Sequence, residues 1–168
     1  EGLEPFQILT VKGVEGSVDT LDGSLEESDP SFNGKSLQMV YDGSRITRAN
    51  PLTHLVVHRF DQLTEQGQER EPALSQARQE VGKAFGLEAS QIDADMMSNE
   101  HGMTRLHSER VHALAEVAAA AGSSRDALFE SLSQQIKNGK PVDFKSALNA
   151  LSEQSEETDV ANSDLGFI

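Results

Sequence analysis

The apolar residues change their period along this chain. Over residues 1–49 they come in short runs, Phe6-Gln7-Ile8-Leu9-Thr10-Val11 and Leu37-Gln38-Met39-Val40-Tyr41, bounded by Gly and Asp. Runs of that length and composition between turn formers predict strands. Alternation puts Phe6, Ile8 and Thr10 on one face of the first run, and Leu37, Met39 and Tyr41 on one face of the second. Asn33-Gly34 and Asp42-Gly43 are turn dipeptides that tolerate positive φ. Residues 16–36 hold too much Gly, Ser, Asp and Glu for a core and predict a long acidic loop. Two or three such strands need helices to pack on, or the rest of a β-domain.

From residue 50 the period is helical. Asn50-Pro51 reads as an N-cap and a first-position proline, followed by the stripe Leu52, Leu55, Val56 and Leu63 with Phe60 beside it. Glu65 to Glu71 is a polar loop. Pro72 opens a second helix through Leu74, Ala77, Val81 and Phe85, which Gly86 stops. Ser90 with Asp93 predicts a cap for a short helix over Gln91 to Met97. Beyond a break at Gly102, the longest stripe runs Met103, Leu106, Val111, Leu114, Val117, Ala118 and Ala121, ending at Gly122. Ser123 with Asp126 opens a helix carrying Leu128, Phe129, Leu132 and Ile136, which stops at Asn138-Gly139. Pro141 and Asp143 precede a last helix with Phe144, Ala147, Leu148 and Leu151 inward.

The expected fold is α+β and mainly α, with short N-terminal strands packed on a bundle of five or six helices. Residues 1–49 form the strand and acidic-loop segment, which is possible as the end of a β-sandwich. Residues 50–152 form the helical bundle, and 153–168 an acidic flexible tail or linker. The expected core is Leu52, Leu55, Val56, Val81, Phe85, Leu106, Leu114, Leu128, Phe129, Leu132, Ile136 and Leu148.

Composition narrows the function classes. The chain has 168 residues, 28 acidic and 14 basic, for a net charge of -14. That balance argues against nucleic acid and anionic membrane surfaces, both of which need clustered Lys and Arg. No apolar run approaches the ~20 residues of a membrane span, so no membrane insertion by this segment is expected. Zero cysteines exclude disulfides, thiolate metal sites and cysteine nucleophiles. The chain begins at Glu1 and reads as a piece of something longer.

Four phrases together resemble a known module. Asn50-Pro51-Leu52-Thr53-His54-Leu55 is similar to the "(T/N)PLT-x-L" opening of a helical module in large bacterial envelope proteins. Ala84-Phe85-Gly86-Leu87, the Ala-rich stretch from His112 to Gly122, and the connector Asn138-Gly139-Lys140 follow in the order that family shows. The resemblance spans residues 36–151. It implies a module behind an immunoglobulin-like or carboxypeptidase-regulatory-like β-domain, in lipoproteins, secreted and adhesion-type chains, with no reaction attached. His54, His58 and the acidic loop depart from that pattern.

Candidate chemistry is sparse. His54 and His58 stand i, i+4, a spacing that lets two imidazoles meet one zinc ion, with His101, His107 or Glu100 as a third ligand. Leu55 occupies the position where a zinc protease would carry its catalytic Glu, so that motif fails. His107 and His112 are five apart and share no face, which weakens a chelate; with His101, Asp93, Asp95 and Glu100 nearby the alternatives are a carboxylate–imidazole site and, the commoner case for such loops, a solvated connector. Asp19, Asp22, Glu26 and Asp29 lie in an acidic loop that could take calcium, although Val18 and Thr20 break the EF-hand pattern. No serine elbow and no phosphate loop is present. Met96, Met97 and Met103 read as gap fillers between helices. The expectation is therefore a non-catalytic structural or interaction module of a bacterial cell-envelope or secreted protein, with no cofactor, no catalytic residue and no metal site assigned. Its partners would be neighbouring domains or a protein that takes a helix face. The alternatives are a calcium- or zinc-dependent binding or hydrolytic domain, and a cytoplasmic partner-binding helical domain.

Overall fold

Asn50 starts the helical part by satisfying the donors that every helix leaves open at its N-terminus. Its Oδ1 accepts from the N–H of Leu52 (2.8 Å) and Thr53 (2.9 Å), while Thr53 Oγ1 accepts from the Asn50 N–H at 2.9 Å. The first helix, α1 (Pro51–Glu65), follows. A computed structural model describes residues 3–12, 36–43, 48–95, 99–147 and 149. Among these, β1 (Gln7–Lys12) and β2 (Ser36–Tyr41) form a two-stranded antiparallel sheet. The later helices are α2 (Arg70–Phe85), α3 (Gly102–Ala120), α4 (Arg125–Gln135) and the start of α5 at residues 144–147. The protein is α+β and mainly α, as the period change predicts.

Three helices end alike. After α1, α2 and α3 the glycines Gly67, Gly86 and Gly122 adopt positive φ. In each case the next residue's N–H reaches back five residues: Gln68 to Leu63 O (3.1 Å), Leu87 to Gly82 O (2.8 Å) and Ser123 to Ala118 O (2.9 Å). This left-handed closure favours glycine, since a Cβ there crowds the backbone.

One apolar cluster joins the strands to the helices. Val40 of β2 belongs to it together with Leu52, Leu55, Val56, Val81, Phe85, Leu114, Leu128, Phe129, Leu132 and Ile136. The register pairs Ile8 with Val40 and Leu9 with Met39. Met39 and Val40 point to opposite faces, yet both are buried, and Val40 belongs to the cluster shared with the helices. β1 has no such cover: Ile8 is 38% exposed and Val11 51%.

Several sequence expectations need correction. The α-helix expected over Gln91 to Met97 is absent from its described part: a 3-10 turn spans Ala89–Gln91, capped by Glu88 and Gln91. The chain then turns at Ile92 and Asp93. Asn50 Nδ2 donates to Ile92 O at 2.7 Å, and Thr104 Oγ1 donates to Gln91 O at 2.9 Å. Ile92 O thus serves a tertiary contact, while Gln91 O accepts from both Thr104 Oγ1 and the Ala94 N–H (3.2 Å) of a single turn. Leu106 is not core; it is 37% exposed, and Met103 and Val117 are more so. α3 turns Thr104, Ser108, Val111, Leu114, Ala115 and Ala118 inward instead. The cap of α4 is Ser124 rather than Ser123, accepting from the Ala127 N–H at 3.0 Å. Leu148, Leu151, Met96, Met97, the acidic loop and the tail lie outside the described residues.

Candidate functional site

His54 and His58 sit one turn apart on α1 and meet Phe129 of α4. The His54 ring packs edge-on to Phe129, centroids 4.4 Å apart, and 5.1 Å from His58; His58 stacks on Phe129 at 5.9 Å. Arg125, at the start of α4, lies over the same phenyl ring at 5.5 Å. The third group near the pair is Asp126: one ligand-type atom from each of His54, His58 and Asp126 lies within 4.8 Å of the others. Among the described residues, neither Glu100, His101 nor His107 joins that group, contrary to the sequence expectation. Glu100 and His101 lie in the 3-10 turn Asn99–His101 that precedes α3, and His107 of α3 packs edge-on with Phe85, centroids 5.3 Å apart.

Protonation decides what this cluster can do. His54 is 4% exposed, and its Nδ1 accepts the backbone N–H of Gln38 at 3.0 Å. A neutral imidazole that accepts at Nδ1 carries its proton on Nε2. Burial lowers the His54 pKa to about 3, with the charges of His58 and Arg125 adding to the effect. The ring is therefore a neutral acceptor for β2, and Nε2 has no lone pair to give a metal. A zinc ion there would also need its ligand atoms about 3.4 Å apart, given bonds of roughly 2.0–2.2 Å. This geometry leaves His58 and Asp126 as the only members of the trio with a ligand atom to offer. His58 is in turn 3.6 Å from Glu130 through Nδ1. A hydrogen bond from Gln134 holds the Glu130 carboxyl below its ordinary value against burial, with Gln62 and His58 helping.

His54 instead fastens the sheet. Gln38 lies in the middle of β2 and turns its peptide groups toward α1: its N–H goes to His54 and its C=O accepts from Thr53 Oγ1 at 3.0 Å. The edge of β2 that faces away from β1 thus ends on two helix side chains. Beside this clamp lies a second polar group that sequence reasoning missed. Arg59 and Glu80 form a buried ion pair between α1 and α2. Gln76 Nε2 also donates to Glu80 Oε1 at 2.9 Å, and Arg59 Nη1 to Gln62 Oε1 at 3.0 Å. Gln62 continues to Ser133 Oγ of α4 at 2.7 Å. A sequence signal existed, since Arg59 falls in the Leu52–Leu55–Val56–Phe60–Leu63 stripe.

The remaining feature faces outward. Met103, Leu106, Arg110, Ala113, Val117 and Ala120 are all exposed on α3 and follow one another at alternating spacings of three and four residues. Those positions share one helix face, distinct from the buried one, so α3 carries two apolar stripes. Elsewhere, an open cleft of about 410 Å³ lies beside Phe6, Leu74 and Arg78. Arg78 is held there by Asp42 at 3.0 Å and Asp93 at 3.5 Å. No described helix is long and apolar enough to cross a membrane.

The chain matches no protein-family model, no curated protein and no solved structure. The resemblance to the envelope module rests on its four phrases.

Proposed function

We propose that this chain is a non-catalytic interaction module, one that fixes a short strand ribbon against a helical bundle and offers the outer face of α3 to a protein partner. The observation that carries this reading is the exposed stripe on α3, with Met103 54% and Val117 53% exposed on a helix whose other face is fully packed. Large apolar side chains gathered on one face mark interaction surfaces more than chance exposure does. The four sequence phrases favour a bacterial cell-envelope or secreted setting, where such a module would space or join neighbouring domains. The zinc-dependent alternative draws no support from the histidine pair, whose buried member already uses its lone pair within the fold.

The test is site-specific photocrosslinking in the source cells. A photoreactive residue at Val117 should yield one discrete protein adduct, and the same residue at the exposed Gln134 of α4 should not. Equal adduct patterns from both positions would sink the reading.

A further inference from the structure

The turn that follows α4 is made of two residues that are also open to covalent change. Asn138 and Gly139 follow one another at φ of 64° and 67°. Asn and Gly enter this left-handed region at low steric cost, which suits them to the turn. The same pair lets a backbone nitrogen reach a side-chain amide, because Gly139 carries no Cβ to crowd the approach. Asn138 is exposed to water and Gly139 is half-buried. The other described asparagines lack this arrangement. Asn50 precedes Pro51, which has no N–H, and Asn99 and Asn149 precede Glu100 and Ala150.

Two hydrogen bonds hold the turn in place. The Gly139 N–H donates to Ile136 O at 2.8 Å, and the Asn138 N–H donates to the Glu80 carboxylate of α2. Lys83 of α2 lies behind Gly139, so close that a Cβ added at 139 would come within 2.9 Å of its side chain. The Gly139 nitrogen is the atom that would attack the Asn138 amide. It must first give up the proton that Ile136 O now accepts. The fold thus sets a labile pair at its surface and ties up the nucleophile.

We infer that Asn138 is a site of spontaneous deamidation, held back in the folded chain by the bond from the Gly139 N–H to Ile136 O. When the turn opens, a base in the solvent takes the Gly139 amide proton, and the nitrogen attacks Asn138 Cγ. The N–Cγ bond forms, the Cγ–Nδ2 bond breaks, and Nδ2 leaves as ammonia with a proton from water. Water then opens the resulting imide. Attack at Cγ gives Asp at 138, and attack at the backbone carbonyl gives an isoaspartyl linkage. Either product places a carboxylate on the residue whose N–H serves Glu80, and like charges at close range repel. The isoaspartyl form also adds one atom to the main chain, which shifts the Gly139 N–H away from Ile136 O.

The full chain, folded or unfolded in guanidinium chloride, is incubated at mildly alkaline pH, and residue 138 is followed by peptide mapping. The unfolded chain should convert to Asp and isoaspartyl forms, and the folded chain at least about tenfold more slowly. That slowing should match the hydrogen-exchange protection of the Gly139 amide, since both reactions wait for the same N–H to open. Asn138→Gly keeps a residue suited to the turn and should abolish the product at 138. Converted wild-type chain should melt below fresh chain, whereas Asn138→Gly stored alike should keep its melting temperature. No conversion at 138 in the unfolded chain would overturn the site. Equal rates in the two states, or a slowing unrelated to Gly139 protection, would overturn the hydrogen bond as the brake. An unmoved melting temperature after full conversion would overturn the predicted damage to the turn.

Discussion

Protonating His54 would remove the lone pair that the Gln38 N–H uses and place a charge beneath β2. The folded ring resists this down to a pKa of about 3, whereas in the unfolded chain it titrates at its ordinary value of 6.5. Between those limits the unfolded state binds more protons. The contribution of His54 is therefore fully present above pH 6.5 and is lost as pH falls toward 3, at up to about 1.4 kcal/mol per pH unit. Urea unfolding at pH 7, 6, 5 and 4 should show this slope, and His54→Gln should flatten it; an unchanged slope in the variant would remove His54 as the cause. The same tautomer predicts that zinc leaves the melting temperature unmoved. A zinc-induced rise that vanished in His54→Gln would mean that the ring had let go of Gln38. At Glu80, burial pushes the carboxyl up, but hydrogen bonds from Arg59 and Gln76 and the Arg59 charge hold it below its ordinary value. Glu80→Ala strands the Arg59 guanidinium in the interior and should cost about 3–5 kcal/mol in denaturant titrations. The double change Arg59→Met with Glu80→Leu should recover most of it, because two apolar groups leave no buried charge unpaired.

At the scale of elements, most helix starts and stops were legible because local chemistry sets them, although α2 begins at Arg70, two residues before the Pro72 expected to open it. Asn50, Gly86, Gly122 and Asn138-Gly139 act within one turn of where they stand, and each ends or begins a helix as read. Gly82 was not legible, since it sits inside α2 where propensity alone would favour Ala by about 1 kcal/mol. A Cβ added there would lie 2.6 Å from the Leu87 carbonyl oxygen, against the very turn that Gly86 makes. Gly82→Ala should therefore destabilise the protein by about 1–3 kcal/mol, against the propensity scale. Thermal unfolding of that single variant decides between the two effects; a raised melting temperature would show that the turn can move aside. The expected helix after Ser90 failed for the complementary reason. A capping pattern is local, but Ile92 O is taken by Asn50 Nδ2 and Gln91 O is shared between the Ala94 N–H of a single turn and Thr104 Oγ1; Asn50 and Thr104 are residues that the pattern cannot see.

At the scale of the whole molecule, β2 and α1 act as one piece. Val40 shares the apolar cluster with the helices, and Gln38 is bonded on its outer edge to Thr53 and His54. Hydrogen exchange should find the Gln38 amide protected to the same degree as the α1 amides, opening only with them. Protection that was far lower at Gln38 would mean that the ribbon detaches on its own. The change of period near residue 50 determined the α+β class, the order of the elements and most of the core, because burial of an amphipathic face depends on spacing within one segment. The same spacing misplaced Leu106: α3 has two apolar faces, and only packing against α1 and α4 selects the Val111–Leu114–Ala118 side for the interior. The i, i+4 spacing of His54 and His58 could raise the metal question but not answer it. The answer lies in a backbone N–H sixteen residues earlier, which took the lone pair that a metal would need. Spacing along a chain determines which side chains can share a face; which atoms of those side chains remain available is decided only when distant segments meet.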